Sequence, residues 1–281
     1  MASWGTVEAQ LSGIVRGDEQ LCDWLASGGL ASARALIAWG AELTDRAARA
    51  ICEARPAALA AIDLSWNHVG PGGAGELAAL EGLERLRLYH NDVGPDGAAA
   101  IARSARPLQS LNLCGNHLGD AGVAALRAPR LAALRELALG WNDISDAGAR
   151  ALAAGHAAAA SGAATAAAAA AWPRLESLNI RANQLGADGA AALLALPALT
   201  RLGLDENPLG NDGVAALAAA PRFARLTWLN LGGTSIDDGA VDALLDARPA
   251  ALRELRVHDN ELSWEACAAL RRGLPGCEVI A

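Results

Sequence analysis

Leu108–Leu126 reads LQSLNLCGNHLGDAGVAAL, and close variants of this stretch recur from residue 59 almost to the end of the chain. Its pattern is L-x-x-L-x-L-x-x-N-x-L-G-x-x-G-x-x-x-L. The first leucines alternate with period two, which indicates a strand, and the later apolar residues have helical spacing. The asparagine position of the motif is occupied by Asn67, Asn91, Asn116, Asn142, Asn183, Asn207, Thr234 and Asn260.

A strand–helix unit of this length cannot bury its apolar side alone, so stacked copies are needed to form a continuous core. We predict an α/β solenoid in the form of a horseshoe, with a concave parallel β-sheet and convex helices, over residues 43–281. The segment 43–56 is a degenerate first repeat, and Cys277 and Val279 indicate a terminal strand. The eight full repeats begin at Leu59, Leu83, Leu108, Leu134, Leu175, Leu199, Leu226 and Leu252.

Two segments depart from the repeat. Residues 1–42 carry apolar positions at helical spacing and are predicted to form a helical N-terminal cap of two or three helices. Trp4, Trp24 and Trp39 are expected to pack in that cap, the alternative being an exposed docking surface. An alanine-rich insertion at about residues 153–172 is interpreted as a helix extension or a loop rather than as a membrane span, because alanine is only weakly apolar.

Polar and small residues of the motif are given structural roles. The asparagines are expected to bind backbone groups of adjacent turns and to form a ladder along the stack. Aspartates such as Asp120 precede or begin the helices, where they accept free backbone N–H groups, and one per turn is too few for calcium. Helical glycines such as Gly97 and Gly189 are expected to let each helix approach the sheet closely.

The amino-acid composition limits which ligands the protein is expected to bind and in which cellular compartment it is expected to reside. The net charge is −8 and all 23 basic residues are arginine, which argues against nucleic acid as the main ligand. The five cysteines contain no C-x-x-C pair, so neither a disulfide framework nor a metal site is expected. With no secretory signal at the N-terminus, we predict a cytoplasmic protein that uses no cofactor or metal and contacts no membrane.

LESLNIRANQLGADGAAAL, from Leu175 to Leu193, resembles the ribonuclease-inhibitor-like class of leucine-rich repeats. It is also similar to the repeats of Ran GTPase-activating proteins and to bacterial repeats with a GAxALA signature. The resemblance covers about residues 43–281. It implies a protein partner on the concave sheet, and it places Trp66, His90 and Trp141 where ribonuclease inhibitors carry aromatic residues just beyond the strand.

The fixed register allows the concave surface to be predicted residue by residue. Tryptophan, tyrosine and arginine dominate the energies of desolvated interfaces, so such residues on this surface are the best binding candidates. The alternative is that the tryptophans merely stack on one another. The candidate partner-binding residues are Trp66, Arg87, Tyr89, His90, Trp141, Arg181, Asp205, Glu206, Trp228 and His258.

The sequence therefore favours a non-enzymatic protein–protein interaction module. A GTPase-activating role, or that of an effector or immune-sensor type regulator on the same repeats, is the alternative. A catalytic pair of Cys114 and His90 is a weaker reading, because neither an oxyanion site nor an orienting group is visible. Self-association through the C-terminal edge strand is a further hypothesis.

Overall fold

The computed structural model describes residues 8–154 and 172–281, and the chain divides into two compact units, residues 1–138 and 139–281. The first unit alternates short parallel strands with helices on one side of them. Its strands are β1 (Glu8–Gln10), β2 (Ala35–Ile37), β3 (Ala61–Asp63), β4 (Arg85–Arg87), β5 (Ser110–Asn112) and β6 (Glu136–Ala138). Its helices are α1 (Gly17–Ala26), α2 (Asp45–Glu53), α3 (Pro71–Ala78), α4 (Gly94–Ser104) and α5 (Gly119–Ala125), with a 3-10 turn at Pro129–Leu131.

The described part of the second unit repeats the same alternation. Its strands are β7 (Ser177–Asn179), β8 (Arg201–Gly203), β9 (Trp228–Asn230), β10 (Glu254–Arg256) and β11 (Glu278–Ile280). Its helices are α6 (Asp146–Ala153), α7 (Ala187–Leu193), α8 (Gly210–Ala219), α9 (Val241–Asp246) and α10 (Trp264–Gly273), with 3-10 turns at Phe223–Arg225 and Asp238–Ala240.

Strand pairing is parallel and follows chain order within each unit. The middle residue of each strand pairs with the middle residue of the next, as Leu86 does with Leu111 in the first unit and Leu202 with Leu229 in the second. These leucines are at most 1% exposed, because alternation turns them toward the helices. The predicted α/β leucine-rich-repeat architecture is confirmed.

The asparagine ladder is confirmed as well. The Oδ1 atom of Asn67 accepts the backbone N–H groups of Ala41 (3.0 Å) and Leu43 (2.9 Å) in the preceding repeat. Its Nδ2 donates to the carbonyl groups of Ala38 (2.8 Å) and Leu64 (2.9 Å). Buried backbone groups at each turn are thereby satisfied without water. Inter-repeat bonds of this kind are also made by Asn91, Asn116, Asn183, Asn207 and Asn260.

The N-terminal segment differs from the prediction of a cap made only of helices. Within residues 8–42 the chain forms one helix, α1, and two strands, β1 and β2, that extend the sheet. Strand pairing prevails over helical periodicity here because the edge of β3 offers backbone acceptors: Ala38 donates to Asp63 (2.9 Å) and Gly40 to Ser65 (3.0 Å). The apolar run Leu36–Ile37 fits either period, and this ambiguity produced the wrong reading.

The expectation that the N-terminal tryptophans pack in the cap is wrong for one of them. Trp39 is 53% exposed, whereas Trp24 is half-buried and lies against Gly29, where an added Cβ would come 2.3 Å from the ring. Trp39 is exposed because it follows the buried Ala38 and therefore projects to the opposite face of the sheet. Trp4 lies outside the described residues.

The helical glycines allow a close approach, but not to the sheet. A Cβ on Gly97 in α4 would come 3.1 Å from the Cα atom of Pro71, the first residue of α3. A Cβ on Gly189 in α7 would come 2.9 Å from the Cα atom of Asp146, the first residue of α6. These glycines therefore permit each helix to pack on the start of the preceding helix, which corrects the expectation.

The predicted insertion at about residues 153–172 falls almost entirely outside the described residues. In the part of the chain that the structure describes, no helix has the length and apolar character needed to cross a membrane.

Candidate functional site

The side chains that alternate with the buried leucines lie on the face of the strands opposite the helices. We call this surface the first open face in residues 1–138 and the second open face in residues 139–281. On the first open face, Asp63, Arg87 and Asn112 occupy matching positions on adjacent strands. On the second, Asn179 pairs with Gly203, Gly203 with Asn230, and Asn230 with Arg256.

At the loop edge of both faces, the residue just before each ladder position has a left-handed backbone. Its φ is +58° at Trp66, +50° at His90, +53° at Trp141 and +58° at Glu206. Glycine occupies this position at Gly40, Gly115 and Gly233, with φ between +61° and +64°. A side chain other than glycine costs about 1 kcal/mol or more in this conformation. Tryptophan is therefore held here against the local preference of the backbone.

An aromatic cluster occupies the first open face. The Trp66 indole stacks on the His90 imidazole, with ring centroids 4.0 Å apart and planes inclined by 18°. Tyr89 meets Trp66 edge to face at 5.4 Å and His90 at 4.4 Å. Trp66 nevertheless remains 54% exposed, while Tyr89 and His90 are half-buried. The neighbouring strands thus fix the orientation of a large ring that faces solvent.

Polar groups beside this aromatic cluster are held by short-range contacts. The Asp63 carboxylate accepts hydrogen bonds from the backbone N–H (3.0 Å) and hydroxyl (2.6 Å) of Ser65. Arg87 approaches Asp63 at 3.6 Å, and its side chain is 43% exposed. The first open face therefore combines a rigid aromatic platform with an arginine on the adjoining row.

On the second open face the tryptophans are covered by arginines of the same chain. The Arg181 guanidinium lies 4.0 Å from the centre of the Trp141 ring, a cation–π contact. Arg181 also pairs with Asp205 at 3.2 Å and with Glu206. Burial raises the pKa of the Asp205 carboxyl above its ordinary value, although the Arg181 charge acts in the opposite direction.

Trp228 is half-buried between two arginines. Arg201 lies 4.9 Å and Arg256 5.5 Å from the centre of its ring. Arg256 donates to Glu254 at 2.6 Å. Burial opposes ionisation of Glu254, but hydrogen bonds from Arg256 and Trp228 outweigh it and hold the pKa of this carboxyl below its ordinary value. The rings of Trp66 and Trp228 contact tyrosine, histidine and arginine side chains rather than another tryptophan.

The structure separates the ten predicted contact residues into distinct groups. Trp66, Tyr89 and His90 form the aromatic cluster, with Arg87 beside it. Trp141, Arg181, Asp205 and Glu206 form a second group, but Asp205 is only 8% exposed and is a support for Arg181 rather than a surface contact. Trp228 belongs to its own arginine pair. His258 contacts the adjoining Asp259 at 2.9 Å.

Trp39 was expected in the N-terminal cap, with an exposed docking surface as the alternative, and it is not among the ten predicted contact residues. In the structure Leu36 pairs with Ile62, so Trp39 occupies the same position in its repeat as Ser65 and belongs to the first open face. Cys114, from the weaker catalytic reading, is buried at 5% exposure. Within residues 8–154 and 172–281, no three His, Cys, Asp or Glu side chains are grouped in a way that could hold a metal ion.

Short parallel strands, alternating helices and an asparagine ladder together define the leucine-rich-repeat class. Five segments of the chain match the family model described as Leucine Rich repeat: residues 59–78, 83–102, 104–126, 133–153 and 174–194. Such repeats generally act as protein-interaction modules.

The crystal structure of an internalin from Listeria monocytogenes is similar, with 16% sequence identity over 99% of this chain and 92% of that chain and a TM-score of 0.47. No curated protein matches the chain.

Proposed function

We propose that this protein is a non-enzymatic binding module that docks a protein partner on its open face, with Trp66, Tyr89 and His90 as the anchor. The observation that carries the proposal is the exposure of Trp66. The residue is 54% exposed although Tyr89 and His90 hold its ring in place. Its left-handed backbone is common to this position in the repeats, so it is the exposed aromatic surface that points to a use outside folding.

The cluster has the properties of an interface hot spot. Trp66 loses little conformational entropy on binding, because stacking on His90 at 4.0 Å already fixes its ring. Tryptophan and tyrosine give the largest energies when a partner excludes water from them. Arg87, partly exposed beside the cluster, adds a donor for carboxylate or carbonyl groups of the partner.

The second open face is a weaker candidate for the anchor. Trp141 is 37% exposed, but Arg181 already covers part of its ring, and Asp205 and Glu206 balance the arginine. Trp228 likewise carries two arginines. A partner gains less from rings whose contacts are already satisfied, so we expect smaller losses from substitutions at Trp141, Trp228 and His258 than at Trp66.

The repeat subtype and the cellular location are part of the same proposal. An α-helix in most repeats and the motif from Leu175 to Leu193 support a ribonuclease-inhibitor-like subtype, which presents its sheet to proteins. The five cysteines are free thiols in the structure, which supports a reducing, cytoplasmic location. No observation favours the GTPase-activating alternative over this binding role.

The test compares two glycine substitutions at left-handed positions. Trp66→Gly removes the ring while leaving the backbone in a conformation that glycine prefers. Ala182→Gly makes the same backbone change at φ +49° and removes only a methyl group. A partner is first isolated on the immobilised protein and identified by mass spectrometry, and the purified partner is then titrated against each variant.

We expect Trp66→Gly to weaken binding by roughly 30-fold or more, as for a hot-spot residue worth about 2 kcal/mol, and Ala182→Gly to leave it unchanged. Equal affinities for Trp66→Gly and the unsubstituted protein would refute the proposed anchor.

A further inference from the structure

We propose that the first open face receives an arginine side chain of a basic partner segment in a slot above Gly40, between Trp39 and Trp66. This inference rests on the proposed function and specifies the chemistry of its partner. The slot is defined by Trp39, Gly40 and Trp66, and the arginine stacks on the face of the Trp66 indole that points away from His90.

The slot exists because the side chains at the loop edge lean in one direction. His90 lies over the next strand, where a Cβ on Gly115 would come 3.0 Å from its Nδ1 atom, and Trp66 lies on His90. Gly40 holds the equivalent position one strand earlier, since its N–H donates to Ser65 as that of Trp66 donates to Tyr89. A Cβ on Gly40 would meet nothing within 4 Å.

Two exposed tryptophans belong to this part of the face: Trp39 directly precedes Gly40 in the chain, and Trp66 holds the position of Gly40 on the next strand. Trp39 is 53% exposed and Trp66 54%. Among the described residues the ring partners of Trp66 are Tyr89 and His90, which lie on the far side from Gly40. Adjacent strands are about 4.8 Å apart, so one planar group fits over Gly40 in contact with the Trp66 ring.

The second unit shows that an indole in this position accepts a guanidinium. Trp141 holds the same position in its repeat as Trp66, and Arg181, which comes from the following strand as Tyr89 does beside Trp66, lies 4.0 Å from the centre of its ring. Trp228 on the same face also has arginines over its ring, at 4.9 and 5.5 Å. A guanidinium is planar and weakly hydrated, so it stacks on an indole better than an ammonium group does.

Charge points to a basic partner as well. The chain carries a net charge of −8, which attracts a cationic segment over long distances. Near the slot, Asp63 ends the strand that precedes Trp66, and Glu42 lies two residues beyond Gly40. Arg87 approaches Asp63, and Arg16 pairs with Glu42 at 2.6 Å. Since both carboxylates already have an arginine partner, the attraction for a cationic segment comes from the net negative charge of the chain.

The experiment titrates the ¹⁵N-labelled protein with a blocked Gly-Arg-Gly peptide and follows the indole N–H resonances, assigned with Trp39→Phe and Trp66→Phe. Matched peptides carry lysine, tyrosine or glutamate in place of arginine. Gly40→Asn fills the slot with a residue that tolerates a left-handed backbone. Gly94→Asn is its control, because Gly94 has a similar φ of +59° and also meets nothing within 4 Å, but begins α4.

We expect the arginine peptide to shift the Trp39 and Trp66 resonances, and Gly40→Asn but not Gly94→Asn to weaken this response on the order of tenfold. No shift, an unchanged response in Gly40→Asn, or a stronger response to the tyrosine or glutamate peptide would overturn the slot. Trp39→Ala provides a second test that leaves the backbone at Gly40 unaltered, and it should weaken the response similarly.

The titration also separates this inference from the proposed function. If Gly40→Asn binds the purified partner normally while Trp66→Gly does not, the arginine slot is wrong and the anchor stands. If neither substitution weakens binding of the partner, the arginine slot and the aromatic anchor are both wrong.

Discussion

The His90 imidazole lies directly over the backbone of Gly115: a Cβ built on Gly115 would come 3.0 Å from Nδ1. Since Trp66 stacks on the other side of His90, the absence of a side chain at Gly115 positions the aromatic cluster. We predict that Gly115→Ala displaces His90 and alters the near-UV circular dichroism of the stacked rings. It should also lower the free energy of unfolding by about 2 kcal/mol, of which about 1 comes from the left-handed backbone.

Gly119→Ala is the control for that backbone contribution. Gly119 has a φ of +56° and would place its Cβ in open space. Gly119→Ala should lose only the part of the unfolding free energy that comes from the left-handed backbone, about 1 kcal/mol. The near-UV circular dichroism of the stacked rings should be unchanged. Identical behaviour of the two variants in urea denaturation and near-UV circular dichroism would mean that Gly115 does not support His90.

Trp66→Gly should alter stability little, whatever it does to binding. The substitution removes the ring contacts with His90 and Tyr89, but it also relieves a left-handed conformation that costs a non-glycine residue about 1 kcal/mol. We expect a change within about 1 kcal/mol in urea denaturation. Phe223→Ala, at a residue only 1% exposed, should instead lose roughly 3 to 5 kcal/mol. A loss of that size for Trp66→Gly would show that its ring is a part of the core.

The asparagine ladder predicts unequal losses at two equivalent positions. Asn207 accepts from the Leu185 N–H at 3.1 Å and donates to the carbonyls of Ile180 (3.0 Å) and Leu204 (2.9 Å). Thr234 is equally buried but donates only within its own turn, to Leu231 at 2.7 Å. We expect Asn207→Ala to cost roughly 3 kcal/mol, because buried groups lose partners, and Thr234→Ala about 1 kcal/mol.

Urea denaturation of both variants tests the ladder. Equal losses, or a smaller loss for Asn207→Ala, would contradict the view that the asparagine side chain connects adjacent repeats.

The stability of the protein should depend on pH through Asp205. The sign of that dependence shows whether burial or the Arg181 charge controls the pKa of this carboxyl. Burial raises its pKa above the ordinary 3.8, while Arg181 at 3.2 Å lowers it. With burial dominant, the folded protein holds this proton more tightly than the unfolded chain, so the stability from this group is greatest at low pH and is lost as pH rises through the raised pKa. Asp205→Asn should therefore gain stability relative to the unsubstituted protein between about pH 4 and about pH 7.

Glu254→Gln should show the opposite trend. Its carboxyl has a pKa below the ordinary 4.5, because hydrogen bonds from Arg256 and Trp228 outweigh burial. The stability it provides is present above pH 4.5 and is lost as pH falls through the lowered pKa, so Glu254→Gln should be relatively less stable at neutral pH than in acid. Denaturant titrations across this range measure both differences. A falling relative stability of Asp205→Asn with rising pH would show that the Arg181 ion pair prevails.

Repetition made the architecture predictable. The strand leucines, the ladder asparagine and the helix pattern recur in each repeat, so a position that is ambiguous in one repeat can be assigned from the others. The N-terminal segment lacks this redundancy. Its run Leu36–Ile37 fits both periods, and backbone pairing with the neighbouring strands β1 and β3 decided in favour of β2.

The sequence alone therefore determined the class of fold, the buried leucines and the register that brings Trp66, Tyr89 and His90 to one face. The tertiary structure decided which side chain covers each tryptophan ring. That depends on side-chain packing between neighbouring strands and not on the period of the repeat. Trp141 carries Arg181, whereas Trp66 carries His90 and leaves its other side open toward Gly40. Trp39 became a surface residue for the same reason: the strand that presents it forms through pairing with β1 and β3.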